Sequence, residues 1–240
     1  MRLQSVIRAI YPAQCVACDA LTEAEFGLCS TCWRDTQFIG GLVCDSCGAP
    51  LPGDDPGEPV QCDDCMTIAR PWDQGRAALV YTGIGRRLVL ALKHGDRTDL
   101  AWPVAGWMAQ VARPLLCDDT VLVPVPLHWV RLVRRRYNQA ALLTHQLGKL
   151  LERPTCPDAL LRPKKMKPLE GHSRDARFAA LSGAIIPNPK RSAMIKGKPI
   201  LLIDDVMTSG ATLAACAEAL ITAGAAKVAV LILARVVKDA

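Results

Sequence analysis

The sequence of 240 residues has few aromatic residues and no apolar run long enough to cross a membrane. Phe, Trp and Tyr make up only 5% of the chain, which argues against a surface built mainly for stacking nucleic-acid bases. The best apolar run, residues 228–234, has the length of a strand. Residues 1–11 carry two arginines but no apolar core typical of a signal peptide. We therefore expect a cytoplasmic protein with no membrane span.

Cysteine, in contrast, is abundant, and eight of the eleven cysteines form four C-x-x-C pairs in the first third of the chain. A two-residue gap lets both sulfurs of a turn face one tetrahedral ion, and in a cytosolic protein this favours metal over disulfides. Ten residues separate Cys18 from Cys29 and fourteen separate Cys47 from Cys62, and both gaps suit a zinc ribbon. We predict one structural zinc site from Cys15, Cys18, Cys29 and Cys32 and a second from Cys44, Cys47, Cys62 and Cys65. A cross-brace, which joins the first pair to the third and the second to the fourth, and an iron–sulfur site are the alternatives.

The composition changes after the last of these pairs. We predict a double zinc ribbon module at residues 1–70 and an α/β domain at residues 71–240. Hydrophobic residues make up 50% of the chain, which is enough for a packed domain. The formal net charge of +6 becomes a mild surplus once eight thiolates bind two Zn²⁺ ions, so it says little about nucleic acid.

The most informative stretch is Ile200–Leu213, which predicts a buried strand, two carboxylates (Asp204 and Asp205), a short turn and a helix. A turn into a helix N-terminus aims backbone N–H groups at one point, and the helix dipole favours an anion there. Gly210 allows close approach of the backbone, and Thr208, Ser209 and Thr212 add hydroxyl donors. We predict a phosphate site beside acids that could accept hydrogen bonds from sugar hydroxyls. A Walker A loop is a poor alternative because no Lys follows the glycine; the other alternative is an ordinary strand–turn–helix.

An arginine cluster, residues 131–136, follows the strand predicted at residues 121–125. Guanidinium groups match phosphate oxygens bidentately, and open α/β sheets bind ligands beyond the carboxyl ends of their strands. The cluster is therefore a second candidate anion site; the alternative is a solvated helix face.

The stretch at Ile200–Leu213 resembles the 5-phosphoribosyl-1-pyrophosphate (PRPP) motif of type I phosphoribosyltransferases. The resemblance implies a mostly parallel α/β sheet flanked by helices, and ribose contacts from Asp204 and Asp205. It assigns the 5-phosphate to Met207, Thr208, Ser209, Gly210, Ala211 and Thr212.

Three further features are similar to the ComF/GntX branch of that family. These are the Pro-x-Pro strand end with the following Arg-x-Asn-Gln of residues 136–139, the block Leu92–Asp96, and the cysteine-rich N-terminus. Residues 162–181 stand where the family has a mobile hood, but they lack its Asn, so only two arginines are carried over. The resemblance implies pyrophosphate contacts from Lys93, Arg134, Arg135, Arg136, Arg174 and Arg177.

The function that this resemblance implies is Mg²⁺-dependent transfer of a phosphoribosyl group from PRPP to an unknown acceptor, with a link to DNA uptake and competence proteins. Two alternatives stay open. One is a module that binds single-stranded DNA along the arginine cluster, with Trp33, Trp129 and Tyr137 as stacking residues. The other is a PRPP sensor that binds without turnover.

Overall fold

The computed structural model of the protein describes residues 12–23, 25–128, 133, 136–163 and 183–237. Its strands are β1 (Gln74–Val80), β2 (Val121–Pro124), β3 (Leu160–Leu161), β4 (Ile186–Pro187), β5 (Pro199–Met207) and β6 (Lys227–Arg235). Four of them form a fully parallel sheet in the order β1-β6-β5-β2, while β3 and β4 form a separate antiparallel pair. The predicted α/β fold with a mostly parallel sheet is confirmed.

Helices cover both faces of the main sheet. They are α1 (Ser30–Asp35), α2 (Asp63–Thr67), α3 (Gly83–His94), α4 (Ala101–Ala112), α5 (Gln139–Leu150), α6 (Ser192–Ile195) and α7 (Ala211–Thr222), with 3₁₀ turns at Thr98–Leu100, Arg113–Leu115 and Pro189–Arg191. Strands buried on both faces are expected to be continuously apolar, which explains the run Ile200–Ile203. Within the described ranges, none of these helices combines the length and apolar character that a membrane crossing needs.

The two sides of β5 face different cores. Ile200 and Leu202 pack with α7, whereas Leu201 and Ile203 pack with α3, α4 and α5. Side chains alternate along a strand, so this alternation places the next two residues, Asp204 and Asp205, on opposite faces of the sheet.

Strand β5 is longer than the sequence indicated, because it continues past the two carboxylates instead of ending at them. Its pairing with β6 runs on to Met207, opposite Arg235, whereas its pairing with β2 stops at Ile203, opposite Pro124. The edge of β5 that faced β2 is therefore free of that strand from Asp204 onward. This opening lies at the carboxyl end of the sheet, where open α/β sheets bind ligands.

The cysteine-rich segment packs directly on β1. The N–H of Gly75 donates to Asp45 O at 2.8 Å, and the N–H of Ile39 donates to Ala78 O at 2.9 Å. A Cβ on Gly75 would lie 2.6 Å from Ser46 O, so the approach requires a residue without one. The predicted division at residue 70 stays a prediction, although these contacts join the two parts closely.

Candidate functional site

The loop between β5 and α7 has the backbone expected of an anion-binding turn. We call residues Thr208–Gly210 the β5–α7 loop. Gly210 adopts a left-handed conformation (φ 82°) immediately before α7 and has no side chain to cap this helix, while Ser209 Oγ accepts a long hydrogen bond of 3.5 Å from the N–H of Ala211. A Cβ at Gly210 would lie 2.7 Å from Met207 Cε and 2.9 Å from Arg70 Nη1. Gly210 thus offers no side-chain acceptor to the first turn of α7, and the N-terminus of this helix favours an anion.

The two acids of β5 lie just before this loop. Asp205 is buried, and its Oδ1 is 3.0 Å from Lys93 Nζ at the end of α3. Asp204 is half-buried, and its Oδ1 accepts a hydrogen bond of 2.8 Å from the N–H of Asp205. Lys93, a predicted pyrophosphate contact 112 residues before Asp205 in the sequence, is therefore brought to the acid pair.

Asp204 has a strongly perturbed acidity. Burial raises the pKa of its carboxyl to about 7, and the charge of Asp205 adds to this effect, while the charges of Lys93 and Arg162 oppose it. Burial raises the pKa of the Cys216 thiol in α7, and the charge of Asp204 adds to this effect. A cationic ligand at this edge would favour the ionised form of Asp204.

This perturbation predicts a measurable pH dependence of stability. A folded-state pKa of about 7, above the ordinary value of 3.8, means that Asp204 destabilises the fold increasingly as pH rises toward 7. Asp204→Asn is neutral at every pH, so we expect it to exceed the wild type in free energy of unfolding at pH 8 by on the order of 2 kcal/mol. The figure allows for solvent screening of this half-buried group. The gap should shrink at pH 5.5, and a gap that is equal at both pH values in urea unfolding would contradict the assignment.

The cysteines form the two predicted clusters, and the pairing is sequential. The sulfurs of Cys15, Cys18, Cys29 and Cys32 lie within 4.8 Å of one another, and so do those of Cys44, Cys47, Cys62 and Cys65. The Sγ–Sγ distances of 3.7 Å for Cys18–Cys29 and for Cys47–Cys62 match the edge of a ZnS₄ tetrahedron, about 3.8 Å for Zn–S bonds of about 2.3 Å. The donor set and geometry fit two structural zinc ions, and the cross-brace is excluded.

The remaining predicted contacts are distributed unevenly. Thr208 is exposed, Ser209 and Thr212 are half-buried, and Ala211 is buried, as is the side chain of Met207. Arg134, Arg135, Arg174 and Arg177 lie outside the described residues.

Arg136 is exposed and has a positive φ of 65°. The next two residues fix this segment to the sheet edge. The hydroxyl of Tyr137 donates to Leu92 O at 2.9 Å, and Asn138 Nδ2 donates to Val125 O at 3.0 Å beyond the end of β2. Asn138 also caps α5. Arg136, the last residue of the arginine cluster, is thus followed by two residues that contact Leu92, next to Lys93, and Val125, next to β2.

Three arginines near the site were not found from the sequence. Arg162 follows β3 and acts electrostatically on Asp204. Arg70, which the sequence indicated as part of a linker, donates from Nη1 to Ser209 O at 2.7 Å. Arg235, within the last apolar strand, donates from Nη1 to Thr208 O at 2.8 Å. Only Arg235 carried a signal, because a charged residue at the end of an otherwise buried strand needs partners.

Comparison with known proteins covers most of the chain. The family "Phosphoribosyl transferase domain" matches residues 107–239, and "Double zinc ribbon domain" matches residues 6–66. The chain is 27% identical to "DNA utilization protein YhgH" of Escherichia coli (strain K12) and 30% identical to the protein of that name in Salmonella typhi; each alignment covers 93% of this chain and 97% of the relative. It is 27% identical to "Competence protein ComFC" of Bacillus subtilis (strain 168), over 90% of this chain and 92% of that protein.

Proposed function

We propose a function for this chain, which belongs to the phosphoribosyltransferase family in its ComF-like form with an N-terminal double zinc ribbon. The chain binds PRPP at the carboxyl end of its parallel sheet and transfers the phosphoribosyl group to an acceptor. The observation that carries this proposal is the N-terminus of α7 behind the left-handed Gly210, one short loop after two adjacent carboxylates. The phosphate of such a ligand needs hydrogen-bond donors and its ribose hydroxyls need acceptors, and this segment supplies both within a few residues.

In this proposal the residues divide by the part of PRPP that they hold. Residues 207–212 bind the 5-phosphate through loop N–H groups and hydroxyls, and Asp204 and Asp205 accept hydrogen bonds from the ribose hydroxyls. When pyrophosphate departs, positive charge develops on the ribose, and a rigidly held ring limits the cost of reaching that state. Lys93, which pairs with Asp205, and Arg136, which precedes Tyr137, bind the pyrophosphate leaving group in this proposal.

A magnesium ion fits the same edge. Carboxylate oxygens are the ligands that Mg²⁺ prefers, and it keeps most of its waters. The raised pKa of Asp204 reflects burial and the negative charge of Asp205, which a nearby cation would offset. Mg²⁺, when bound with PRPP, would supply charge neutralisation for the pyrophosphate.

The proposal is tested with the zinc-loaded protein in two assays. Titration calorimetry with PRPP and Mg²⁺ should show saturable binding, and its absence would remove the proposal. Release of pyrophosphate should then be measured with candidate nucleophiles as acceptors. Binding without release under all conditions would instead support a PRPP sensor.

A second candidate function is binding of single-stranded DNA, which the names of the relatives favour. Trp33 is 55% exposed and Arg136 is exposed, so each is accessible to a strand. The hydroxyl of Tyr137 is engaged with Leu92, and Trp129 lies outside the described residues. If residues 134–136 bind phosphates, their triple alanine variant should lower the slope of log affinity against log salt by up to about 2. An unchanged slope would remove that surface.

A further inference from the structure

The second cysteine cluster, which we define as Cys44, Cys47, Cys62 and Cys65, is connected to the β5–α7 loop by two arginines. Cys44, Cys47, Cys65 and Trp72 belong to one continuous core, which also contains Met207 and Ala211, the residues on either side of the loop. A closed Cys₄ zinc site performs no chemistry itself. Its proximity to the loop nevertheless gives it a route to influence ligand binding.

Arg70 makes the first connection. Its Nη1 donates to Ser209 O at 2.7 Å, and its guanidinium lies 5.4 Å from the ring centre of Trp72. Trp72 is 5% exposed, and its Nε1 donates to Ser46 O at 2.6 Å, between two of the cluster's cysteines. Arg70 therefore lies against a tryptophan that is anchored between Cys44 and Cys47 of the cluster. The connection thus runs from the loop carbonyl of Ser209 through Arg70 and Trp72 to the backbone of Ser46 in the cluster.

Arg235 makes the second connection from the end of β6. It is only 4% exposed, and its Nη1 donates to Met207 O at 3.1 Å, to Thr208 O at 2.8 Å and to Val236 O. It also lies close enough to Cys47 for its charge to act on that sulfur. Four thiolates with one Zn²⁺ would carry a net charge of about −2, which attracts both guanidinium groups.

These contacts determine which way the loop amides point. The carbonyls of Met207, Thr208 and Ser209 are all held on the side of the two arginines. In a trans peptide the N–H of the following residue points opposite to the carbonyl, and the described residues contain no cis peptide. The N–H groups of Thr208, Ser209 and Gly210 therefore point away from the arginine groups that hold the preceding carbonyls.

We propose that the second zinc site positions the phosphate-binding loop, with Arg70 and Arg235 as positioning residues, so that loss of metal from this site weakens PRPP binding. The inference rests on the proposed function, since it concerns the affinity of that same loop. The first cluster has no such contact with the loop among the described residues. That cluster contacts α3 instead, where Arg87 Nη2 donates to Cys32 Sγ at 3.9 Å.

The first test changes the connection and leaves the metal ligands intact. Arg70→Ala should weaken binding of PRPP with Mg²⁺ by roughly 10-fold or more, because a charged donor to Ser209 O is lost, and Arg70→Lys should recover part of it. Arg76→Ala is the matched control. Arg76 Nη2 lies 2.8 Å from Oδ1 of Asp45, the residue after Cys44 of the same cluster, and none of the contacts described for Arg76 reaches the β5–α7 loop. Equal affinities for Arg70→Ala and Arg76→Ala, with two zinc ions per chain in each, would overturn the proposal.

The second test changes the metal sites and needs no ligand. Cys62→Ser and Cys18→Ser each remove a half-buried or exposed ligand from one cluster, and each should leave one zinc ion per chain. In two-dimensional NMR spectra the amide signals of residues 208–210 should shift or broaden in Cys62→Ser and in Arg70→Ala, but not in Cys18→Ser. Unchanged loop signals in Cys62→Ser and Arg70→Ala would refute the coupling. If these loop signals change as expected but the protein binds no PRPP, only the proposed function is refuted.

Discussion

Asp205→Asn is expected to lower the affinity for PRPP with Mg²⁺ by roughly 100-fold, because hydrogen bonds between a carboxylate and the ribose hydroxyls are lost. The substitution also removes the partner of Lys93, whose Nζ lies 3.0 Å from Asp205 Oδ1. The Lys93 side chain is 20% exposed and can reach water, so the fold should be retained. Titration calorimetry measures the affinity, and urea unfolding checks the stability.

A second aspartate–lysine pair provides the matched control. Lys198 precedes β5, and its Nζ lies 2.9 Å from Asp119 Oδ2, so this pair stands at the opposite, amino end of the same strand. Asp119→Asn removes the same charge and breaks the same kind of pair away from the proposed site. Its PRPP affinity should stay within about 2-fold of the wild type, since the lost pair is surface-exposed. Equal losses in the two variants would mean that net charge, not the acid pair, governs binding.

Gly210→Ala is expected to have the second large effect, because it disturbs both the loop backbone and its support. A residue with a Cβ is strained at φ 82°, and this Cβ would lie 2.9 Å from Arg70 Nη1 and 3.2 Å from Trp72 Cη2. Strain and overpacking together should lower the free energy of unfolding by about 2–4 kcal/mol. The displaced loop should bind PRPP roughly 100-fold more weakly, a loss of about 2.7 kcal/mol in binding free energy.

Gly197→Ala separates strain from crowding. Gly197 has a similar φ of 70°, but nothing lies within 4 Å of the Cβ that would be added. This variant should lose about 1 kcal/mol of stability, the cost of a left-handed Ala alone, and it should bind PRPP normally. If Gly210→Ala loses no more affinity than Gly197→Ala, the close packing around Gly210 has no part in forming the site.

The features that were predictable from the sequence are those with local causes. Both cysteine clusters follow from two-residue spacings within single turns. The strand, loop and helix around Gly210 follow from an apolar run, a turn residue and an Ala-rich helix, and each of these acts over a few neighbouring residues. These elements were predictable because each depends on residues that are neighbours in the sequence.

Strand length was less predictable. The apolar run ends at Ile203, yet β5 continues to Met207, because pairing with β6 persists after β2 has ended. Hydrogen bonds from a neighbouring strand thus hold two carboxylates in extended conformation, which the composition of the segment does not favour. The sequence of one segment does not show which other strands will pair with it, so it does not predict where the strand ends.

The sequence by itself determined the ligand types: eight sulfurs for two metal ions, and two carboxylates beside a glycine turn. Only the tertiary structure decided how they act together. It brings Arg70 to Ser209, 139 residues away, and Arg235 to Thr208, so that each arginine holds a loop carbonyl. Spacing along the chain fixes what neighbouring residues can bind, whereas contacts between distant residues depend on sheet order and packing, which no local pattern encodes.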